Sequence, residues 1–324
     1  MEHETVSHAV DERSLARLPS GTDVSVTVHR YEGGPGPTVY LQAAQHGIEL
    51  NGTAALRRLH ERLLEAELAG TVIAVPVANT LAFDHNSYVT PQAVDAVNPN
   101  FNRVWPGDED GTLQERTVAS LWELVEAADV VIDLHSGTAD MLEHVRFQNG
   151  ERESRRLASV FGADYLMTDP KPDRSLEEYT GTLRTAARLA GTTVIVPELS
   201  NSRQVDLEAA RRGADGIENV LGERGMLREE PADPPAQTVL CDDGGRVGAD
   251  RSGLFEPAPR VAIGDRVTEG DELGTLYCPA TFERRQSVTA VTSGVIYSLT
   301  RESAVTAGEK LAGIAELSER DRRA

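Results

Sequence analysis

The sequence predicts an α/β protein: a mostly parallel or mixed sheet flanked by helices, with a small β domain at the C-terminal end. Two observations predict it. Up to Leu227, strand-like and helix-like segments alternate, which implies a sheet covered on both faces. After Leu227 comes REEPADPPAQ, a charged and proline-rich linker, and beyond it only short strands and glycine turns. The expected division is residues 1–232 for the α/β domain and residues 233–324 for the β domain.

The elements follow in order. TDVSVTVHRYEG and TVYLQAA read as strands, and GTAALRRLHERLLEAELAG reads as an amphipathic helix. TVIAVPVAN is a short apolar run of the buried-strand type. Thr80 to about Asp110 is polar, with few periodic apolar residues. The helix TLQERTVASLWELVEAA then leads into the strand DVVIDLH. SRRLASVFGA and LEEYTGTLRTAARLAG are further helices, TTVIVPEL a buried strand, and LEAARRGADGIENVLGERGML the last helix. In the C-terminal part TVLCDD, GLFEPA, RVTEGDELGTLYCP, QSVTAVTSGVIYSL and TAGEKLAGIAEL supply short strands.

The chain has 324 residues, 40% of them hydrophobic, an ordinary composition for a soluble globular protein with ample core. No apolar run approaches the ~20 residues of a membrane span. The N-terminal MEHETVSHAVDERSLARL is charged and lacks a secretory apolar core, so a cytoplasmic location is expected. The formal net charge of -20 argues against nucleic acid and anionic membrane surfaces as partners. The acid is dispersed along the chain, and Lys171 and Lys310 are the only lysines, a surface chemistry like that of a salt-accumulating halophile. Cys241 and Cys278 make neither a disulfide framework nor a local CxxC metal knuckle, and read as structural.

Three polar signals lie just past apolar strands, where α/β proteins bind ligands. QHGIELNG carries His46 and Glu49, VVIDLHSGT carries His135, and TTVIVPELSNS carries Glu198. Two histidines and one carboxylate form the ligand set of many catalytic zinc sites and leave a fourth position open. His46 and Glu49, three residues apart at a strand-to-helix turn, both reach one ion, and His135 approaches from a neighbouring strand end. Zinc lowers the pKa of a bound water toward ~7, so Glu198 is placed to act as base and then acid.

QHGIELNG, NFNR, VVIDLHSGT and VIVPELS, in this order, resemble the succinylglutamate desuccinylase/aspartoacylase family, relatives of the zinc carboxypeptidases, over nearly the whole chain. The resemblance implies a zinc-carboxypeptidase-like sheet and one Zn2+ per chain, with His46, Glu49 and His135 as ligands and Glu198 as general acid/base. It implies that Asn102 and Arg103 hold the substrate carboxylate, Arg matching that group bidentately. The implied reaction is hydrolysis of the amide in a small N-acyl amino acid or related N-acyl amine. The resembled family is often oligomeric, so a homo-oligomer stays open. Carboxypeptidase action on short peptides, or a non-catalytic binding protein on the same fold, are the alternative readings.

One departure stands out. A further arginine is expected before the Asn-Arg pair, and HNSYVTPQAVDAVNPNFNR has none, so Arg146, Arg174 or Arg184 is expected to reach in, or the substrate differs. The family also commonly shows Asp-Glu after His-Gly, where Ile48 here precedes Glu49.

The remaining polar residues read more plainly. Asp133 is a candidate to orient a ligand imidazole, weighed against an expectation that it points the other way along the strand. His85 and His144 are expected on the surface or a substrate loop. His3, His8, His29 and His60 are expected to be solvated, Asn98 and Asn100 to form turns, and Phe101 and Trp105 to pack. The C-terminal VAIGDRVTEGDELGTL resembles the barrel of biotinyl and lipoyl carriers, but its hairpin has no lysine, which argues against a swinging-arm carrier. In the resembled family this domain covers part of the catalytic face. Glu283, Arg284, Arg285 and Tyr297 are its candidates for touching substrate, and the sequence does not choose among them.

Overall fold

A computed structural model of the chain describes residues 1–169, 180–243 and 245–318. The strands are β1 (Glu4–Thr5), β2 (Ser7–Arg17), β3 (Asp23–Glu32), β4 (Gly34–Ala43), β5 (Glu67–Val75), β6 (Val130–Gly137), β7 (Asp140–Met141), β8 (His144–Phe147), β9 (Tyr165–Thr168) and β10 (Thr193–Asn201). The C-terminal part adds β11 (Thr238–Cys241), β12 (Arg246–Gly248), β13 (Gly253–Pro257), β14 (Arg266–Val267), β15 (Glu272–Tyr277), β16 (Arg284–Thr289), β17 (Gly294–Leu299), β18 (Ala304–Val305) and β19 (Lys310–Leu317). The helices are α1 (Asn51–Leu63), α2 (Thr80–Asp84), α3 (Leu113–Glu126), α4 (Arg152–Phe161), α5 (Leu183–Leu189) and α6 (Leu207–Glu223).

The sheet is mixed. Its main path runs β14-β17-β19-β11-β9-β8-β10-β6-β4-β5-β3-β2, and a separate antiparallel sheet runs β16-β15-β13-β18. At the centre β10, β6, β4 and β5 are parallel, while β8 joins β10 antiparallel. Two apolar layers follow from the strand alternation. One face packs Leu41, Ile132 and Ile195 against Leu59 of α1, Phe161 of α4 and Ile217 of α6. The other packs Tyr40, Val131 and Val194 against Leu121 of α3 and Leu183 of α5. Burying each such side chain contributes about 1.5–3 kcal/mol.

The helix ends follow local chemistry. Thr112 and Glu115 form a capping box at the start of α3, and the Asp206 carboxylate accepts from the N–H groups of Glu208 and Ala209 at the start of α6. Asn51, fully buried at the start of α1, donates to the carbonyls of Leu199 and Asn201 and accepts from the Asp206 N–H, tying α1 to the end of β10.

Several expectations are corrected. The first helix ends at Leu63, and Glu67–Gly70, expected as its last turns, opens β5. Burial of Leu68 and Ala69 in the sheet overrides the helical propensity of LEAELA. The charged N-terminal stretch forms the long strand β2, mostly exposed because it lies at the sheet edge, where charge blunts further pairing. The helix expected from Leu176 begins at Leu183: Gly181, at φ 81°, and the N-cap Thr182, whose side chain accepts from the Thr185 N–H, stand outside it, while residues 170–179 lie outside the described residues. His144 is no surface residue. It is fully buried on β8, its Nδ1 lies 2.7 Å from the Leu142 carbonyl, and burial, with Arg146 nearby, pushes its pKa down to about 3. His8, His29 and His60 are half-buried in one cluster and are not separately solvated, while His3 reaches the Gly225 carbonyl at 3.0 Å. His85 is exposed, as expected.

Candidate active site

The site sits at the C-terminal ends of β4, β6 and β10. β4 leaves the sheet through Ala44, whose left-handed φ of 53° turns the chain so that His46 and Glu49 face inward before α1. The Glu49 N–H closes that turn on the His46 carbonyl at 3.0 Å. Parallel pairing of β10 with β6 sets Glu198 beside His135.

His46, Glu49 and His135 are buried, and one ligand atom from each lies within 4.8 Å of the others. The His46 ring stacks on Tyr88 at 3.9 Å, and its Nδ1 lies 3.2 Å from the Tyr88 carbonyl, so Nδ1–H donates there and Nε2 is left for an ion. Burial lowers the His46 pKa to about 4, which keeps the ring neutral. His135 is held at both ends, Nδ1 2.9 Å from Glu49 Oε2 and Nε2 3.0 Å from Asp133 Oδ2. Burial lowers its pKa, but the Asp133 and Glu49 carboxylates more than offset this and hold it well above the ordinary value. A cation at this position is therefore favoured by two buried carboxylates, whether a proton on His135 or an ion between the ligands. The donor set fits a divalent metal: two imidazoles and a carboxylate converge, with the far nitrogen of His135 oriented by Asp133.

The expectation that Asp133 points away from His135 fails, because residues two apart on a strand share a face. Asp133 anchors a buried network that sequence reasoning missed. Gln45 Nε2 donates to its Oδ2 at 2.6 Å and Gln42 Nε2 to its Oδ1 at 3.1 Å. Trp105 Nε1 donates to Gln45 Oε1 at 2.8 Å, so Trp105 fixes this network besides packing. Burial raises the Asp133 pKa, but His135 and the two amides outweigh it and hold the group lowered, as a carboxylate. A polar Gln42 within the apolar end of β4, and Gln45 just past it, were the available signal.

The Glu198 pKa is raised by burial and by the Glu49 charge, with His135 acting in the opposite sense. It lines a cleft of about 200 Å³ together with His46, Glu49 and His135. Asn102 and Arg103 also line it. Asn102 Oδ1 accepts from the Leu183 N–H at 3.0 Å, so this side chain holds the start of α5. Arg103 is exposed at the cleft, and Gly181, at φ 81°, lets the chain pass its carbonyl, where a Cβ would meet the oxygen at 2.1 Å.

Of the arginines expected to replace the missing one, Arg146 and Arg184 both line the cleft, and Arg174 lies outside the described residues. Arg146 donates to Asp242 Oδ2 at 3.2 Å, and Arg184 pairs with Asp169 at 2.9 Å. Glu283, Arg284 and Arg285 are exposed and do not line the cleft. Tyr297 does not line it either, but its hydroxyl donates to Asp242 at 3.2 Å and so steadies the partner of Arg146.

Fold and site together define an α/β protein with a buried two-histidine, one-carboxylate group and an adjacent glutamate at the strand ends. Residues 35–224 match the model of the succinylglutamate desuccinylase/aspartoacylase catalytic domain. The chain is 30% identical to an N-alpha-acetyl-L-2,4-diaminobutyric acid deacetylase of Halomonas elongata, covering 95% of this chain and 92% of that one. A succinylglutamate desuccinylase structure from Silicibacter sp. TM1040 superposes with a TM-score of 0.82 at 25% identity, covering 97% of this chain and 96% of that one. The product-bound ectoine utilization protein of Ruegeria pomeroyi shares the fold, with a TM-score of 0.83 at 24% identity over 97% and 96% of the two chains. The chain belongs to the succinylglutamate desuccinylase/aspartoacylase family. No helix among the described residues is long and apolar enough to cross a membrane.

Proposed function

We propose that the chain is a zinc-dependent deacylase that hydrolyses the amide bond of a small N-acyl amino acid. The observation that carries this reading is the convergence of His46, Glu49 and His135 within 4.8 Å, with Glu198 paired beside His135 on the next strand. These three residues would hold the ion. Zinc, when bound, supplies Lewis acidity and lowers the pKa of water toward neutrality.

The chain's own groups do the rest. Glu198, its pKa raised by a desolvated site, takes a proton from the attacking water and returns it to the amine nitrogen as the C–N bond breaks. The products are a carboxylic acid and an amine. Arg103, with Asn102 beside it, holds the substrate carboxylate at the cleft mouth. Arg146 and Arg184, held by Asp242 and Asp169, line the cleft where the loop before Asn102 offers no arginine. A cleft of about 200 Å³ suits a small substrate better than a peptide, and Arg103, exposed at its mouth, is the guanidinium placed to meet a substrate carboxylate. The C-terminal β part, expected to cover the catalytic face, braces the cleft through Asp242, which holds Arg146, and Tyr297, which holds Asp242.

The diaminobutyrate relative makes N-acetylated diamino acids the first compounds to assay, followed by N-succinyl and other N-acyl amino acids. Glu198→Gln should keep its zinc and lose about 10²–10⁴-fold in kcat. Near-normal turnover in that variant would remove Glu198 from the mechanism. Arg103→Ala should raise KM for an acidic substrate with little change in stability, and an unchanged KM would refute the carboxylate grip.

A further inference from the structure

A second histidine cluster lies outside the cleft, at the corner where the edge hairpin meets α1. His8 on β2 faces Tyr31 on β3 in register, and Val10 faces His29, so His8, His29 and Tyr31 share one face of the hairpin. His60 enters from the last turn of α1. One ring nitrogen from each of His8, His29 and His60 lies within 4.8 Å of the others, and all three residues are half-buried.

We infer that His8, His29 and His60 form a second metal site, separate from the cleft, that takes a borderline divalent transition ion such as Zn2+. Imidazole is a common ligand for zinc, copper and nickel, whereas Mg2+ and Ca2+ require oxygen ligands that this cluster lacks.

The geometry is close to what an ion requires. Zn–N bonds of 2.0–2.1 Å in a tetrahedral site set neighbouring nitrogens about 3.3 Å apart. His8 Nε2 and His29 Nδ1 are 3.1 Å apart, the separation of two nitrogens sharing one proton or one ion. The Tyr31 hydroxyl lies 2.7 Å from His60 Nδ1 and orients that ring, the kind of outer contact that metal-bound imidazoles use. Three histidines leave a fourth tetrahedral position. His29 and His60 also line a cleft of about 700 Å³, so that position is reachable by water or a small ligand.

The ion would pin the N-terminal hairpin to the far end of α1, the helix whose other end begins two residues after Glu49. Its role is to fasten these elements, and deacylation needs none of its three ligands.

The test is a zinc titration of chelator-stripped protein against a chromophoric competitor, on wild type, His29→Gln, His60→Gln and His135→Ala. Thermal melts of the stripped proteins confirm folding. The expected result is two equivalents on wild type and one on each single variant, with zinc raising the Tm of His135→Ala but not of His135→Ala/His29→Gln. His29→Gln and His60→Gln should keep their turnover once loaded. Loss of binding in His29→Gln and His60→Gln alone, with His135→Ala unaffected, supports this site and sinks the catalytic metal. One equivalent on wild type that survives both histidine-to-glutamine changes and vanishes in His135→Ala overturns the second site and leaves the catalytic one intact.

Discussion

At His135 the protonation state governs whether the site takes an ion. Asp133 and Glu49 hold its pKa well above the ordinary value against the effect of burial, so at neutral pH the ion-free ring carries a proton that an incoming metal must displace. His46, at about 4, is already neutral and releases none. Zinc affinity at the cleft should therefore fall by about tenfold per pH unit on acidification below the His135 pKa, from one displaced proton. Competition titrations at several pH values check this, preferably in His29→Gln to isolate the cleft. A pH-independent affinity would mean that His135 does not ligate through a nitrogen it must deprotonate.

At the scale of elements, the close approach of Gly47 to α2 fixes the turn that carries His46 and Glu49. A Cβ at Gly47 would lie 2.1 Å from the Ala82 carbonyl carbon, which is backbone and cannot move aside. Gly47→Ala should cost about 1–3 kcal/mol by overpacking and weaken metal binding by displacing both ligands. Unchanged denaturation midpoint and zinc content would contradict this. The strand ends that carry the site residues were legible in the sequence because apolar runs such as VVIDLH and TTVIVPEL end abruptly in polar residues. The short strands β8 and β9 were not, since four residues give too little periodicity to read. The Gln42–Asp133–Gln45 network was hidden because β4 and β6 lie far apart in sequence and meet only in the sheet. The same reason hid the His8, His29 and His60 cluster, assembled from a hairpin and a distant helix turn.

For the whole molecule, a net charge of -20 makes self-repulsion a standing cost of the compact state. Salt screens it over a Debye length that falls from about 10 Å at 0.1 M to about 3 Å at 1 M. The Tm should rise with NaCl over that range, whereas a flat or falling Tm would show that local ion pairs, such as Arg62 with Asp215, already balance the acid.

The most direct test of the central claim is anomalous diffraction at the zinc edge from crystals of the zinc-loaded protein. The account predicts a peak about 2.0–2.2 Å from His46, Glu49 and His135, with Glu198 facing it across the cleft. A loaded crystal with no peak there, and with His135 still bonded to Glu49, would contradict it.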